Sequence, residues 1–242
     1  KSRKISNCRM IKTLLNKQFH IFDLDDTLIN TRWSYQEAQK TVIRELWPEK
    51  TTPQIDKLHD LLNWYCQQTG SGNTELYFDL FIRSTISDSR HWSKSLSKAL
   101  DCYEGQFESH LSLNPVAFQY LKKLLTLEKR IALVSNGGLE KQLRKLHLTK
   151  LDQFFQEEQI YISGQYPRKC KKPSPFMIQK ACHDWKCPSN NTVYYGNTFS
   201  DIIAANLADV CSVFLKTTDK IDPRKPKIAQ PDYQIKDWEA LK

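Results

Sequence analysis

The chain has 242 residues, of which 36 are Lys or Arg and 27 are Asp or Glu, giving a formal net charge of +9. Hydrophobic residues make up 40% of the sequence and glycine occupies only 7 positions, which excludes a disordered chain and a glycine-rich repeat. No stretch reaches the roughly 18 consecutive apolar residues of a membrane helix, so we expect no membrane span.

The first segment, residues 1–18, is basic and holds six Lys or Arg residues but no acidic residue. It lacks the apolar run and cleavage site of a secretory signal, so we interpret it as a solvated basic leader with one short helix. Because the chain starts with Lys1 rather than Met, we expect it to be trimmed or part of a longer chain. The seven scattered cysteines indicate reduced thiols, which predicts a cytoplasmic protein and leaves delivery into a host cell open.

Five short apolar runs predict buried strands, because each lacks helical periodicity and has a strand-like length. In chain order they are 19–22, 131–134, 160–162, 192–195 and 210–214. Helical patterns separate the strands after residue 113, and Asn114-Pro115 suits the start of the first of these helices. This alternation predicts an α/β fold with right-handed βαβ units and a doubly wound parallel sheet.

Residues 31–112 interrupt this alternation, because apolar residues at helical spacing run through them and no convincing strand pattern occurs. We therefore predict a helical insertion, with a core made of residues 19–30 and 113–242. Its aromatic residues are interpreted mainly as the insertion's own core, the remainder being available to stack on an aromatic leaving group. They are Trp33, Tyr35, Trp47, Trp64, Tyr65, Tyr77, Phe78, Phe81, Trp92 and Tyr103.

Polar residues follow the first strand, at the end where ligands bind in an open α/β sheet. The segment reads Asp23-Leu24-Asp25-Asp26-Thr27, and strand alternation places Asp23 and Asp25 on one side. Two carboxylates this close are costly unless a cation lies between them. Mg²⁺ suits the position, because it prefers one or two carboxylates together with phosphate oxygens and water.

Three later elements add polar groups. Ser135-Asn136, followed by Gly137-Gly138, offers a hydroxyl and backbone amides to phosphate oxygens, although an ordinary helix cap has the same pattern. Lys172, in front of a Pro-started helix, would neutralise a transferring phosphoryl group or lie in a solvated basic loop. Asn197 and Asp201 would complete a metal site.

Together these elements resemble the haloacid dehalogenase (HAD) superfamily, most of whose members are phosphatases. The matching elements, in the family's order, are Asp23-Leu24-Asp25-Asp26-Thr27, Ser135, Lys172-Pro173-Ser174-Pro175 and Gly196 through Asp201. The resemblance covers nearly the whole chain and implies a Rossmann-like core, with the insertion as an α-helical cap of the C1 type. One departure is Asn197, where the family usually has Asp, so we expect weaker Mg²⁺ binding or a larger share for Asp201.

The resemblance implies a Mg²⁺-dependent phosphoric monoester hydrolase that works through an aspartyl-phosphate. Asp23 would be the nucleophile, and Asp25 would act as general acid and then general base. The residues that would bind the phosphoryl group are Thr27, Ser135, Asn136 and Lys172, of which Ser135 and Lys172 would also stabilise its charge in catalysis. The residues that would hold Mg²⁺ are Asp23, Asp25, Asn197 and Asp201.

The expected partner is a phosphorylated small molecule, a nucleotide or a phosphotyrosine protein, since the positive charge attracts anions. A mutase would share these residues, whereas Asp25 argues against a dehalogenase. A binding module with weak or no catalytic activity stays open as an alternative, because Asn197 departs from the family pattern. No recognised nucleic-acid motif occurs, so we expect no specific nucleic-acid binding.

Overall fold

The computed structural model describes residues 7–70, 72–216 and 226–242, so the first six residues of the predicted leader lie outside it. The chain divides into two compact units: Thr31–Leu111 forms the smaller unit, and the segments up to Asn30 and from Ser112 form the larger one. None of the helices in the described ranges combines the length and apolarity that crossing a bilayer requires. All seven cysteines are free thiols, as their scattered spacing predicts.

A six-stranded parallel sheet forms the centre of the larger unit, which confirms the predicted α/β fold. Its strands are β1 (Phe19–Phe22), β2 (Arg130–Ser135), β3 (Ile160–Ile162), β4 (Thr192–Gly196), β5 (Cys211–Leu215) and β6 (Tyr233–Ile235). Their order is β3-β2-β1-β4-β5-β6, so the chain winds outward on one side of β1 and then on the other. The order therefore reverses between β1 and β4, and in open α/β sheets ligands bind at the carboxyl ends of the strands beside such a reversal.

The helices are α1 (Asn7–Leu15), α2 (Thr31–Leu46), α3 (Thr52–Thr69), α4 (Thr74–Thr85), α5 (Trp92–His110), α6 (Pro115–Thr126), α7 (Leu139–Leu148), α8 (Phe176–Asp184) and α9 (Phe199–Leu207). All residues of β1 are buried, as expected for a central parallel strand covered on both faces. Asn114 caps α6 through its side chain, which accepts from the backbone amides of Val116 and Ala117. The cap fixes the point at which the chain resumes the βαβ pattern.

The N-terminal segment corrects the expectation of a solvated leader. Residues 7–15 form α1 as anticipated, but Met10 and Leu14 are buried in the larger unit. The two side chains are four positions apart and therefore share one face of the helix. The described part of the segment is thus packed through this apolar face, while Cys8 and Arg9 stay exposed.

The smaller unit consists of α2, α3, α4 and α5 around a core of its own. Most of the aromatic residues singled out in the sequence belong to this core. Tyr77, Phe78, Phe81 and Tyr103 are buried, and Tyr35, Trp47, Tyr65 and Trp92 pack against them. Trp33 and Trp64 differ, being 49% and 53% exposed.

The chain leaves and re-enters the larger unit through two paired segments. Ile29 forms an antiparallel bridge with Leu113. Next to it, the Asn30 amide donates to the Ser112 carbonyl (3.1 Å), and the Ser112 amide donates to Asn30 Oδ1 (2.7 Å). These contacts hold the two ends of the insertion together within the larger unit.

The last described segment stabilises the loop that follows β1. Trp238 is 2% exposed and its indole Nε1 donates to the Thr27 carbonyl oxygen at 2.9 Å. Its ring packs on Phe22 and Tyr195, with ring centroids 6.0 and 5.6 Å away. Trp238 therefore joins the C-terminal segment to the Asp23–Thr27 loop, a contact that no sequence pattern predicts.

We expect Trp238→Phe to lower the free energy of unfolding by about 1–3 kcal/mol, because the buried Thr27 carbonyl loses its hydrogen-bond donor. The smaller ring adds to the loss through poorer packing. Denaturant titration measures the change, with exposed Trp64→Phe as the control, expected within about 0.5 kcal/mol of the original. Equal stabilities of the two variants would contradict a supporting role for the indole.

Candidate functional site

The polar residues predicted from the sequence meet at the carboxyl ends of β1, β2 and β4 in the larger unit. Asp23 directly follows β1, Ser135 ends β2, and Asn197 directly follows β4. Parallel strands bring these ends to one edge of the sheet, at the reversal of strand order. All three residues are buried, with relative exposures of 5% or less.

Lys172 is the central cation of the site. Its Nζ lies 2.7 Å from Asp23 Oδ1 and 2.6 Å from Asp201 Oδ1, and its side chain is 2% exposed. The ammonium also contacts the Val134 carbonyl (3.0 Å) and the Tyr194 hydroxyl (2.9 Å). Burial alone would lower the pKa of Lys172, but the two carboxylates outweigh it and the pKa lies well above its usual value.

Asn136 holds the backbone of Lys172 in place. The Lys172 amide donates to Asn136 Oδ1 (2.9 Å), and Asn136 Nδ2 donates to the Lys172 carbonyl (3.1 Å). The side chain predicted to bind phosphate is therefore engaged in positioning the loop that carries the ammonium.

Asp201 is fully engaged by protein groups. Its Oδ1 contacts Lys172 and accepts from the Tyr194 hydroxyl (3.1 Å), while Oδ2 accepts from the Thr198 amide (2.9 Å) and hydroxyl (2.6 Å). Burial opposes ionisation, but Lys172 and Thr198 lower the pKa of Asp201 below its ordinary value. The carboxylate also approaches the backbone closely, because a Cβ at Gly196 would lie 2.4 Å from Asp201 Cβ. Only glycine fits there without displacing Asp201.

Asp23 faces Lys172 on one side and Thr27 on the other. The Thr27 hydroxyl donates to Asp23 Oδ2 at 3.0 Å and lies 3.2 Å from Asn197 Oδ1. Burial raises the pKa of Asp23 to about 7; Lys172 opposes this rise, and the negative charge of Asp201 adds to it. A metal ion or a proton at this carboxylate therefore lowers the free energy of the site by offsetting its buried negative charge.

Asp25 is directed to α7 and is paired there at both oxygens. Lys145 Nζ lies 2.6 Å from Oδ1, and Gln142 Nε2 donates to Oδ2 at 2.7 Å. Neither α7 residue is among the predicted site residues. The sequence pattern that indicates Gln142 and Lys145 is a pair of polar residues, three positions apart, in a short helix directly after the Ser135 turn.

The residues around Asp23 fit a small hard cation. Two oxygens of the kind that Mg²⁺ prefers, Asp23 Oδ2 and Asn197 Oδ1, converge on the same Thr27 hydroxyl. The predicted set of four is not assembled as one cluster, because Asp25 and Asp201 have the partners described above. Within the described residues, no three His, Cys, Asp or Glu side chains are grouped as metal ligands.

Comparison with known proteins gives consistent matches. The family model described as haloacid dehalogenase-like hydrolase matches residues 20–215. Glyceraldehyde 3-phosphate phosphatase from Pyrococcus abyssi is 26% identical to this chain, and the match covers 81% of this chain and 79% of the relative. The protein of the same name from Methanopyrus kandleri is also 26% identical, and the match covers 93% of both chains.

Solved structures share the fold. A Thermotoga maritima protein assigned as a β-phosphoglucomutase superposes with a TM-score of 0.69 at 19% identity, covering 93% of this chain and 96% of its own. The Bacillus subtilis protein YfnB, assigned as a HAD-hydrolase and bound to magnesium, gives a TM-score of 0.65 at 18% identity, covering 93% and 97%.

We expect Asp23→Asn to stabilise the protein in chelator-containing buffer, and to do so more at pH 8 than at pH 5. The folded protein holds a proton on Asp23 up to a pKa of about 7, against an ordinary value of 3.8. Its contribution to the free energy of unfolding therefore falls as the pH rises through this interval. The advantage of the variant should grow by about 1–3 kcal/mol between the two pH values, as measured by denaturant titration.

The matched control for this measurement is Asp60→Asn, which removes an exposed carboxylate and should show no such trend. An advantage that shrinks with rising pH would contradict the raised pKa of Asp23.

Proposed function

The chain belongs to the haloacid dehalogenase-like hydrolases and is a phosphatase of that family, and we propose that it hydrolyses a phosphomonoester through an aspartyl-phosphate on Asp23. The observation that carries this proposal is the buried Asp23 carboxylate at the end of β1, with the Lys172 ammonium at 2.7 Å and the Thr27 hydroxyl at 3.0 Å. A nucleophile needs to be held in place, and the phosphoryl group that it attacks needs a nearby positive charge.

In the first step, an oxygen of Asp23 attacks phosphorus while the bond from phosphorus to the leaving oxygen breaks. Asp25 donates a proton to that oxygen, so the product leaves as an alcohol. Lys172 and the Ser135 hydroxyl, together with backbone amides of the strand-to-helix turns, stabilise the charge on the phosphoryl oxygens. Asp201 keeps the ammonium oriented through its 2.6 Å contact.

In the second step, Asp25 accepts a proton from a water molecule, which attacks phosphorus and breaks its bond to Asp23. Inorganic phosphate is released, and the Asp23 carboxylate is restored. Mg²⁺ bound by Asp23 and Asn197 would supply further positive charge to the phosphoryl oxygens.

A phosphorylated small molecule is the substrate class that the observations favour. The relatives from Pyrococcus abyssi and Methanopyrus kandleri carry the name glyceraldehyde 3-phosphate phosphatase, which makes a triose phosphate the first compound to test. An aromatic leaving group has less support, because most of the aromatic side chains considered for stacking lie in the core of the smaller unit. A phosphotyrosine protein is therefore a lower priority.

We expect Mg²⁺-dependent hydrolysis of p-nitrophenyl phosphate and glyceraldehyde 3-phosphate that falls at least about 10³-fold in Asp23→Asn. The amide keeps the shape of the side chain but cannot form the acyl phosphate. Phosphate release measures the rate, and Asp26→Asn provides the matched loss of charge in the same loop.

Turnover near the original level in Asp23→Asn would contradict the nucleophile assignment. An inactive original protein, assayed with Mg²⁺ and both substrates, would instead favour the alternative of a binding module with a phosphatase fold.

We expect Asn197→Asp to lower the Mg²⁺ concentration for half-maximal activity several-fold, because a carboxylate replaces an amide beside the Asp23 oxygen. A Mg²⁺ titration of both proteins measures the shift. Asn190→Asp makes the same change at an exposed position and should leave the half-saturation unchanged. Unchanged or weaker binding in Asn197→Asp would mean that this side chain does not hold the metal.

A further inference from the structure

Helix α7 binds both carboxylate oxygens of Asp25. Lys145 Nζ lies 2.6 Å from Oδ1, and Gln142 Nε2 donates to Oδ2 at 2.7 Å. Both helical side chains are buried, Gln142 being 2% and Lys145 7% exposed. A buried ammonium is costly without a partner, so Asp25 and Lys145 depend on each other for their placement.

Gln142 also connects Asp25 to the end of β2. The same Nε2 lies 2.7 Å from Ser135 Oγ and 3.2 Å from the Asn136 carbonyl oxygen. One amide group thus contacts the proposed acid and base and the hydroxyl proposed to bind the phosphoryl group. The relative position of these two groups is therefore set through Gln142.

The start of α7 is itself held firmly. The Gly137 amide donates to Ser163 Oγ at 3.0 Å, and the Gly164 amide donates to the Gly137 carbonyl at 2.9 Å. A Cβ at Gly164 would lie 2.8 Å from the Leu139 amide nitrogen, so the two segments are in close contact. This packing makes α7 a fixed support for the two side chains that reach Asp25.

We propose that Lys145 and Gln142 are positioning residues that hold Asp25 for proton transfer to the leaving group. The inference rests on the proposed function and goes beyond it, because neither residue belongs to the elements that carry the family resemblance. They act on Asp25 rather than on the phosphoryl group, which already has Lys172 as its cation. Their removal should therefore affect most the substrates whose leaving group needs a proton.

The experiment compares two leaving groups in Lys145→Met and Gln142→Met. The p-nitrophenolate ion leaves without protonation, whereas an alkoxide needs the proton from Asp25. For Lys145→Met we expect kcat/KM to fall about 10²-fold with the best alkyl phosphate from a panel that includes glyceraldehyde 3-phosphate. With p-nitrophenyl phosphate, the fall should be less than about threefold.

Gln142→Met should show the same selectivity with a smaller loss, and it carries the test if Lys145→Met does not fold. Lys145→Arg keeps the charge and should recover part of the activity on the alkyl phosphate. Lys141→Met changes an exposed lysine of the same helix and should leave both values unchanged. Thermal melts of all variants check that they are folded.

An equal loss with both substrates, or no loss with either, overturns the inference. Failure of the proposed function is a separate outcome: the unmodified protein would then be inactive, or Asp23→Asn would stay active. If the protein is active and depends on Asp23 but shows no selectivity change in either methionine variant, only the role of α7 is rejected.

Discussion

A buried ammonium between two buried carboxylates is the interaction on which the site depends. The side chains of Lys172, Asp23 and Asp201 are 2%, 8% and 1% exposed, so none of the charges is screened by water. Removing the ammonium would leave the two carboxylates buried without their cation, at a cost of about 3–5 kcal/mol. When all three are ionised they carry a net charge of minus one. Asn197 adds no charge to this sum, whereas the Asp that the family usually has at this position would make it minus two. The substitution in the family pattern therefore weakens the attraction for a cation but also the repulsion of an incoming phosphate.

The sequence predicts the sheet well because its strands are buried on both faces and appear as short apolar runs. The same periodicity predicts the helices of the smaller unit. The strand β6 escapes this reasoning, since Tyr233–Ile235 alternates in burial at the edge of the sheet and is not an apolar run, unlike the equally short β3. The apolar face of α1 also escapes this reasoning, because its two buried residues, Met10 and Leu14, lie in a segment, 1–18, that holds six Lys or Arg residues.

The site was predictable where residues follow strands directly, as Asp23 and Asn197 do. It was not predictable where a contact depends on the path of a distant segment. In α7 the spacing of the leucines predicts the inward face, yet of three leucines at helical spacing Leu146 is buried while Leu139 and Leu143 are 36% and 42% exposed. Gln142 and Lys145 turn inward instead because Asp25, more than a hundred residues earlier in the chain, supplies their partner. Hydrophobic periodicity depends only on the residues of one helix, so it cannot predict a polar partner that lies far away in the sequence.

The pairing of Asn30 with Ser112 has a consequence for how such a protein can change under selection. Because the two ends of the insertion are hydrogen-bonded to each other, the larger unit has a short closed connection at this point, whatever lies between the ends. The entropic cost of bringing the two ends of an inserted segment together rises only slowly with the length of the segment. Segments of different size can therefore replace Thr31–Leu111 over evolutionary time while Ile29 and Leu113 keep their bridge. The bridge thus lets the inserted segment vary in sequence and size while the strands of the larger unit keep their arrangement.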